Sequence, residues 1–529
     1  MRVMHAKQIH YTIGDRTLLD INELSIHQGD RIGLIGKNGE GKSLLLNYLL
    51  GLLDTKSLVS WNGRVGYFRQ LNVEGDPSWD RLSGGEKTLR KLEQLFNASH
   101  DILLLDEPTN NLDWQRIDEL ENRLAHFQGA YVIVSHDRKM LDEVCTKIWE
   151  LEDGNVTEYK GGFSDYEAAK ALKVQHQQEE YEAYVKEKKR LTDRMHQKEQ
   201  QAKVMNKPPS RMGNSEWQLY KGKASGKKQR VERVSKVIQD RIDRLEKVEK
   251  PFEWAEIKMD YTLVKPIHRK NIFIAKDLTM NINNQHLYTI DHIKLKTGSK
   301  TAIIGANGSG KTTLLHHLLY GNTELEITNQ ASIGHFDQTL EALPEDKTIL
   351  EYVQENSALP QHVIRIILGR LRFFDTDVHK KISVLSGGER VKTALARLLT
   401  GTYNVLVIDE PTNHLDIEAI TSLEGLIHDY PGTILFVTHD RRFIEETADH
   451  LWFLEDGSLT TYQGTLTDYY NDKQKPGHSD ETLQRIMTLE NKLTELISRI
   501  SIPDSKIDTA TLEKEYEETL HTLKELKKQ

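Results

Sequence analysis

The run Thr301-Ala302-Ile303-Ile304-Gly305-Ala306-Asn307-Gly308-Ser309-Gly310-Lys311-Thr312-Thr313-Leu314 decides the fold. An apolar stretch feeds a glycine-rich turn of the form G-x-x-x-x-G-K-[S/T], and an apolar helical stretch leaves it. Glycine is needed there because backbone amides must approach phosphate oxygens with no side chain between, while the helix start presents further N–H groups. Lys311 is placed to reach the β- and γ-phosphates, and Thr312 to put a hydroxyl on Mg²⁺. Working outward, the pattern stands 269 residues earlier as Gly36-Lys37-Asn38-Gly39-Glu40-Gly41-Lys42-Ser43, again behind an apolar strand-like stretch. Gly36, Asn38, Gly39, Gly41, Lys42 and Ser43 in one copy, and Gly305, Asn307, Gly308, Gly310, Lys311 and Thr312 in the other, are therefore candidate binders of ATP or GTP. One match could be an ordinary loop; two, each between a strand and a helix, argue against that.

The echo continues. Leu82-Ser83-Gly84-Gly85-Glu86 returns as Leu385-Ser386-Gly387-Gly388-Glu389, Asp106-Glu107 as Asp409-Glu410, and His136 as His439, all at an offset of 303. Four motifs in the same order make a duplication. The change of offset means that copy one lacks about 35 residues between Gln70 and Ser83 that copy two carries between Gln338 and Ser386. Apolar strand-like runs at 102–105, 131–134, 405–408 and 434–437 alternate with helical segments, which predicts α/β domains with a largely parallel core sheet. Asp106 and Asp409 end buried strands and suit a Mg²⁺ shell; Glu107 and Glu410 suit the orientation and deprotonation of an attacking water. Solvated acids at a strand end would be the better reading without the phosphate loop upstream. His136 and His439, at matched strand ends, read as γ-phosphate sensors. The other histidines, His316 and His317 among them, show no ligand spacing and are assigned to surface or packing.

The chain has 529 residues and a net charge of −9, which points to three or four domain-sized units. Its apolar runs stop far short of the ~20 residues that span a bilayer, and neither a secretory leader nor a lipid anchor is legible at the ends. The expectation is a soluble cytoplasmic protein. Cys145 is the single cysteine, which excludes an intrachain disulfide and a cysteine-rich metal site; it reads as a buried apolar thiol.

Between the copies, Ser164-Asp165-Tyr166-Glu167 matches a capping box and opens a charged segment without proline until Pro208. Tyr181, Tyr184, Leu191 and Met195, then Val231, Val234, Ile238, Leu245 and Val248, keep a near-heptad spacing. That predicts an antiparallel helical hairpin of ~60 Å with a tip at 205–226, where Pro208-Pro209, Gly213, Gly222 and Gly226 break helical continuity. From Tyr184 to Lys250 there are 20 Lys+Arg against 9 Asp+Glu, so the rest of the chain carries −20. Basic residues including Lys221 and Lys223 surround Met212, Trp217, Leu219 and Tyr220. Such a tip suits phosphate tracking and stacking on unpaired bases better than a merely solvated hairpin end. The expected division is 1–163 for a first ATPase domain, 164–265 for the linker, 266–472 for a second ATPase domain and 473–529 for a C-terminal helical extension. In that extension Leu489, Leu493, Leu496 and Ile500, then Leu512, Tyr516, Leu523 and Leu526, stripe two short helices.

The phosphate loop, Gln70 or Gln338, Leu-Ser-Gly-Gly-Glu, Asp-Glu-Pro-Thr-Asn and the downstream histidine together resemble the ABC ATPase superfamily. The resemblance implies two composite sites, since the Leu-Ser-Gly-Gly loop of such proteins completes the site of the opposite domain. One would join Lys42, Ser43, Gln70, Asp106, Glu107 and His136 to Ser386, Gly387 and Gly388; the other would join Lys311, Thr312, Gln338, Asp409, Glu410 and His439 to Ser83, Gly84 and Gly85. Gln70 and Gln338 would share the Mg²⁺ with the serine or threonine and the aspartate. Tyr11 stands where these proteins stack an aromatic on adenine, and copy two has Met280 there. More narrowly, Asp409-Glu410-Pro411-Thr412-Asn413-His414-Leu415-Asp416, twin domains in one chain and the long linker look like the ABC-F family of ribosome-acting ATPases. The trimmed first domain, basic linker and C-terminal helices are similar to Vga-type antibiotic-resistance proteins.

That resemblance implies a monomer with paired domains that binds the ribosome at the tRNA exit site. Its linker would reach toward the peptidyl-transferase region, touching large-subunit rRNA and exit-site or peptidyl tRNA, and displace lincosamide, pleuromutilin or streptogramin A drugs; hydrolysis would release it. Two alternatives are a housekeeping translation factor that relieves stalled elongation without drug specificity, and the ATPase subunit of a membrane transporter. The trimming of copy one, where transporter ATPases carry their coupling helices, argues against the latter. A DNA-repair ATPase would need much longer coiled coils or zinc modules.

Overall fold

The computed structural model describes residues 1–14, 16–53, 58–69, 84–110, 112–204, 214–248, 250, 266–282, 285–320, 325–337, 343–374 and 376–474, with 489, 492, 493, 516, 519 and 520 beyond them. The first ATPase domain begins with β1 (Arg2–Ile13), β2 (Arg16–His27), β3 (Arg31–Ile35), α1 (Lys42–Leu49), β4 (Leu58–Trp61) and β5 (Val65–Phe68). It continues through α2 (Gly84–Asn97), β6 (Ile102–Asp106), α3 (Trp114–His126), β7 (Ala130–Val134), α4 (Arg138–Val144), β8 (Lys147–Glu152) and β9 (Asn155–Lys160). Its core sheet has the order β5-β6-β7-β3-β8-β9, parallel except for the β8–β9 edge. Strands β6 and β7 are buried along their whole length, because helices cover both faces of a parallel sheet. A second, antiparallel sheet, β2-β1-β4, packs beside it. The motif reading did not include that sheet: β1 and β2 alternate only loosely and carry none of the repeated motifs.

The linker is α5 (Phe163–Val204) followed by α6 (Asn214–Asp243). The 42 residues of α5 give a rod of ~63 Å. Four linker expectations need correction. The capping box does not form at the start of α5. Asp142 of α4 accepts the Ser164 amide at 2.8 Å, Asp165 accepts the Gly162 amide at 3.1 Å, and Glu167 instead pairs with Arg442 at 2.6 Å. The tip does not extend to 226, since α6 begins at Asn214 and runs through Gly222 and Gly226; residues 205–213 lie outside the described residues. At its other end α6 stops at Asp243, short of Val248. In the seam Leu191 and Ile238 are buried and Tyr181, Tyr184, Met195, Val231 and Ile242 half-buried. Val234 is exposed and Ser235 is half-buried in its place, while Val231, Ile238 and Leu245 keep the expected face.

The second domain repeats the first: β10 (Asn271–Ile282), β11 (Gln285–Lys296), β12 (Lys300–Ile304), α7 (Lys311–Tyr320), β13 (Leu325–Ile327) and β14 (Ile333–Phe336). Then come α8 (Ile349–Glu355), α9 (Gln361–Arg370), α10 (Gly387–Thr400), β15 (Val405–Asp409), α11 (Ile417–Asp429), β16 (Thr433–Val437), α12 (Arg441–Thr447), β17 (His450–Glu455), β18 (Ser458–Gln463) and α13 (Leu466–Gln474). The sheets are β14-β15-β16-β12-β17-β18 and β11-β10-β13. The residues that copy one lacks correspond here to α8, α9 and two short 3-10 turns, which bury Ile349, Val353, Ile364 and Leu368 against α10. Cys145 is buried and burial pushes its thiol up. Of the C-terminal stripe, Leu489, Leu493 and Tyr516 pack together, joined by Leu520; most of 473–529 lies outside the described residues. Among the described residues, no helix is long and apolar enough to cross a membrane.

Candidate nucleotide sites between the two ATPase domains

Each phosphate loop joins a buried strand to a helix whose first residue is the lysine, β3 to α1 and β12 to α7. Gly39 and Gly41 have φ of 81° and 105°, Gly308 and Gly310 of 77° and 96°, so the loops use left-handed backbone that side-chain-bearing residues rarely adopt. Lys42 Nζ donates to the carbonyls of Gly36 and Lys37 at 2.7 and 3.1 Å; Lys311 Nζ donates to Gly305 and Ala306 at 2.9 and 3.0 Å. Burial holds both lysines below their ordinary pKa. Each ammonium is thus penned at the mouth of its loop by carbonyls that a phosphate can outbid.

Asp106 and Asp409 end β6 and β15, and both are buried. Oδ1 of Asp106 and both carboxylate oxygens of Asp409 are buried with no hydrogen-bond partner, an arrangement that is costly unless a cation takes those lone pairs. The donor set, hydroxyl and carboxylate oxygens beside a phosphate loop, fits hard Mg²⁺. Glu107 and Glu410 follow, both at φ 50°, a strained left-handed conformation, and both line a cavity between the domains. Burial pushes Glu107 up to about 8 and Glu410 to about 7, the range a general base needs near neutral pH. His136 Nε2 lies 3.2 Å from Glu107 Oε1, and His439 Nε2 lies 3.3 Å from Glu410 Oε1. Burial first, then the nearby lysine, lowers each imidazole to about 3, so both are neutral.

The two domains face each other across these residues. One cavity of about 650 Å³ is lined by Asn38, Ser43, Glu107 and His136 from the first domain and by Ser386, Gly387 and Gly388 from the second. Its counterpart, of about 510 Å³, joins Lys311, Thr312, Glu410 and His439 to Gly84 and Gly85. Ser386 caps α10 in a reciprocal capping box with Glu389, so the Leu-Ser-Gly-Gly-Glu spelling is that of a helix start whose amides face the other domain's loop. A Cβ on Gly388 would sit 2.6 Å from the His414 carbonyl, which is why glycine is required there. Gln70, Ser83 and Gln338 lie outside the described residues. Tyr11 is half-buried against the core on β1, and Met280 likewise on β10; Arg16, not Tyr11, lines the first cavity. Met212 lies outside the described residues; Trp217, Leu219, Tyr220, Lys221 and Lys223 ride on α6, their side chains outside those described.

Several cross-domain contacts went unread in the sequence. Asn38 Nδ2 donates to the His414 carbonyl at 2.8 Å, and Trp114 Nε1 donates to the His439 carbonyl at 3.0 Å. Arg138 donates to Glu424 at 3.1 Å, and Arg441 pairs with Asp118 at 2.6 Å and Glu121 at 3.5 Å. Arg138 and Arg441, like Glu121 and Glu424, are 303 residues apart, so the two contacts are pseudo-two-fold mates. The offset that matched the histidines extends to these arginines, a signal present in the sequence.

The comparisons agree with this geometry. The family model described as "ABC transporter" matches residues 19–75 and 289–413. The chain is 34% identical over 476 residues to the erythromycin resistance ATP-binding protein MsrA of Staphylococcus epidermidis, covering 85% of this chain and 97% of that one. It is 30% identical over 557 residues to the ribosome protection protein VmlR of Bacillus subtilis (strain 168), covering 98% and 97%. Among solved structures, the RNase-L Inhibitor shares the fold with a TM-score of 0.56 at 17% identity, over 88% of this chain and 92% of that one. Twin phosphate-loop domains that complete each other's sites, with relatives matched along nearly their whole length, lead to one conclusion: the chain is an ATPase and belongs to the ABC-F family.

Proposed function

We propose that this ATPase is an ATP-gated ribosome protection factor of the cytoplasm. It would bind the ribosome at the tRNA exit site, insert its linker toward the peptidyl-transferase centre and displace lincosamide, pleuromutilin or streptogramin A drugs. The observation that carries this reading is the pairing of each phosphate loop with the opposite domain's glycine helix start, with the root of α5 tied to the second domain through Glu167 and Arg442. Closure over ATP therefore sets the linker. The names of the two relatives, one for erythromycin resistance and one for ribosome protection, support the drug-related reading over a housekeeping factor.

In each site the phosphate-loop amides and Lys42 or Lys311 bind the β- and γ-phosphates. The start of α10, with Ser386, Gly387 and Gly388, or of α2, with Ser83, Gly84 and Gly85, closes over the γ-phosphate from the other side. Mg²⁺, when bound, neutralises developing charge on the phosphate oxygens; Ser43, Asp106 and Gln70, or Thr312, Asp409 and Gln338, would hold it. The deprotonated Glu107 or Glu410 takes a proton from the attacking water onto its carboxylate. Neutral His136 or His439 keeps that carboxylate and the γ-phosphate in register. Cleavage removes the phosphate that both domains grip, so the domains part and the linker withdraws.

The test is co-sedimentation of the Glu107→Gln, Glu410→Gln chain with bacterial ribosomes, with and without ATP. ATP-dependent recovery in the ribosome peak is expected; recovery with membranes or DNA, or none, overturns the reading. In a sensitive strain, Trp217→Ala, Leu219→Ala, Tyr220→Ala should spare ATPase activity and remove drug protection; full protection would exclude these residues as the effector.

A further inference from the structure

Among the described residues, one group outside the nucleotide sites brings three metal-ligating side chains together: His316 on α7, His335 on β14 and Asp337 just after it, with one ligand atom of each within 4.8 Å of the others. His316 Nε2 already lies 3.6 Å from Asp337 Oδ2, and the two imidazole rings stand edge to face at 5.6 Å. His335 Nε2 is buried and has no hydrogen-bond partner. Two ligands of one tetrahedral zinc ion stand ~3.3 Å apart, so the side chains need to close by at most ~1.5 Å.

The first domain supplies a control. The equivalent positions, read from the aligned phosphate loops and from Phe68 and Phe336 at the ends of β5 and β14, are Asn47, Tyr67 and Arg69. There Tyr67 Oη donates to Asn47 Oδ1 at 3.2 Å, a neutral pair that closes the same space. Arg69 places a fixed positive charge near Asp106, whereas Asp337 places negative charge near Asp409. The second domain has thus exchanged a tyrosine–asparagine pair and a cation for two imidazoles and a carboxylate. A bound dication would restore the missing positive charge.

We propose that His316, His335 and Asp337 form a binding site for a divalent transition metal of the zinc class, present in the second ATPase domain and absent from the first. Two imidazoles and one carboxylate suit Zn²⁺, with Co²⁺ as its spectroscopic substitute; they do not suit Mg²⁺, which takes oxygen ligands. Three protein ligands leave a fourth position for water. His316 stands one helical turn beyond Thr312, so the site lies behind the phosphate loop and outside the set of residues that face ATP.

The test uses the full chain, stripped with a chelator and free of nucleotide, titrated with Zn²⁺ in a calorimeter and with Co²⁺ in a spectrophotometer. The comparison variant is His316→Asn, His335→Tyr, which copies the first domain. The chain should bind about one more equivalent of Zn²⁺ than the variant, with micromolar or tighter affinity, and show Co²⁺ visible bands that the variant lacks. Equal stoichiometry and equal spectra, or binding no tighter than millimolar, overturn the proposal. Binding of a fluorescent ATP analogue checks that the variant is folded. Should it fail that check, His316→Gln alone should weaken Zn²⁺ by roughly tenfold or more, and unchanged affinity would overturn the site equally.

Discussion

The backbone amide of Asn38 in the first phosphate loop donates to Oδ2 of Asp416 in the second domain at 3.3 Å, while Oδ1 of the same aspartate caps α11 by accepting the Ala419 amide at 2.9 Å. The arrangement recurs in the other site, where Asp113 takes the Asn307 amide at 3.0 Å and the Arg116 amide at 3.1 Å. One carboxylate thus ties a helix start of one domain to the nucleotide loop of the other.

From that tie follows a graded pair of substitutions. Asp113→Ala loses both bonds: about 1 kcal/mol for the cap, and the cross-domain contact as well. Asp113→Asn keeps one acceptor oxygen and can satisfy one partner. Interdomain fluorescence transfer on adding ATP should fall in the order wild type, Asn, Ala. Equal transfer in all three would show that the contact does not support closure.

Glycine at 388 gives a steric prediction. Gly388→Ala drives a methyl to 2.6 Å from the His414 carbonyl, whereas Gly387→Ala adds it to open space. His414 lies in the same domain as Gly388, but its carbonyl accepts from Asn38 of the first phosphate loop, so the first change should displace that cross-domain bond and weaken closure, and the second should not. Fluorescence transfer between labels on the two domains separates them, and identical behaviour would refute the close approach.

Glu107 and Glu410 should behave as bases and not as binders. Their replacement by glutamine keeps the phosphate cradle, so ATP affinity should change little, while turnover should fall by ~10²–10⁴. Rapid-quench hydrolysis and fluorescent-nucleotide titration read the two effects. Undiminished hydrolysis in the double variant would remove both residues from the role assigned.

At the linker root, Arg442 pairs with Glu167 at 2.6 Å, and Lys170 pairs with Glu150 and lies 3.9 Å from Glu418. Arg442 and Glu167 are partly exposed, so their pair is worth at most about 1 kcal/mol. Arg442→Glu should loosen α5 from the second domain with little effect on ATPase activity, and adding Glu167→Arg should restore the attachment. Distance measurement between spin labels on α5 and α12 tests this. A shift that the double exchange does not reverse would argue that the pair does not set the linker.

The sequence by itself determined the twin α/β domains, the phosphate loops, the acidic strand ends, the paired histidines and the long hairpin. Each is a local pattern: strand burial, glycine conformation and helix capping are settled within a few residues, and the duplication repeats the evidence. It also carried the exchange of loops between domains, through resemblance to ABC ATPases whose motifs it matches. Tertiary structure alone decided the rest. Asp113 and Asp416 become cross-domain ligands, and Arg138 and Arg441 find Glu424 and Glu121, only when residues about 200–380 positions apart meet, which no local spacing encodes. Glu167 spells a capping box but pairs with Arg442, because an ion pair with the docked domain replaces a bond that Asp142 and Asp165 already supply. Gly222 and Gly226 read as breaks yet lie inside α6, because the cost of two helical glycines, about 1 kcal/mol each, is within what the rest of a 30-residue helix sustains. His316, assigned to surface or packing, meets His335 and Asp337 because a helix face and a strand end are brought side by side by the sheet order, and that order is a property of the folded domain.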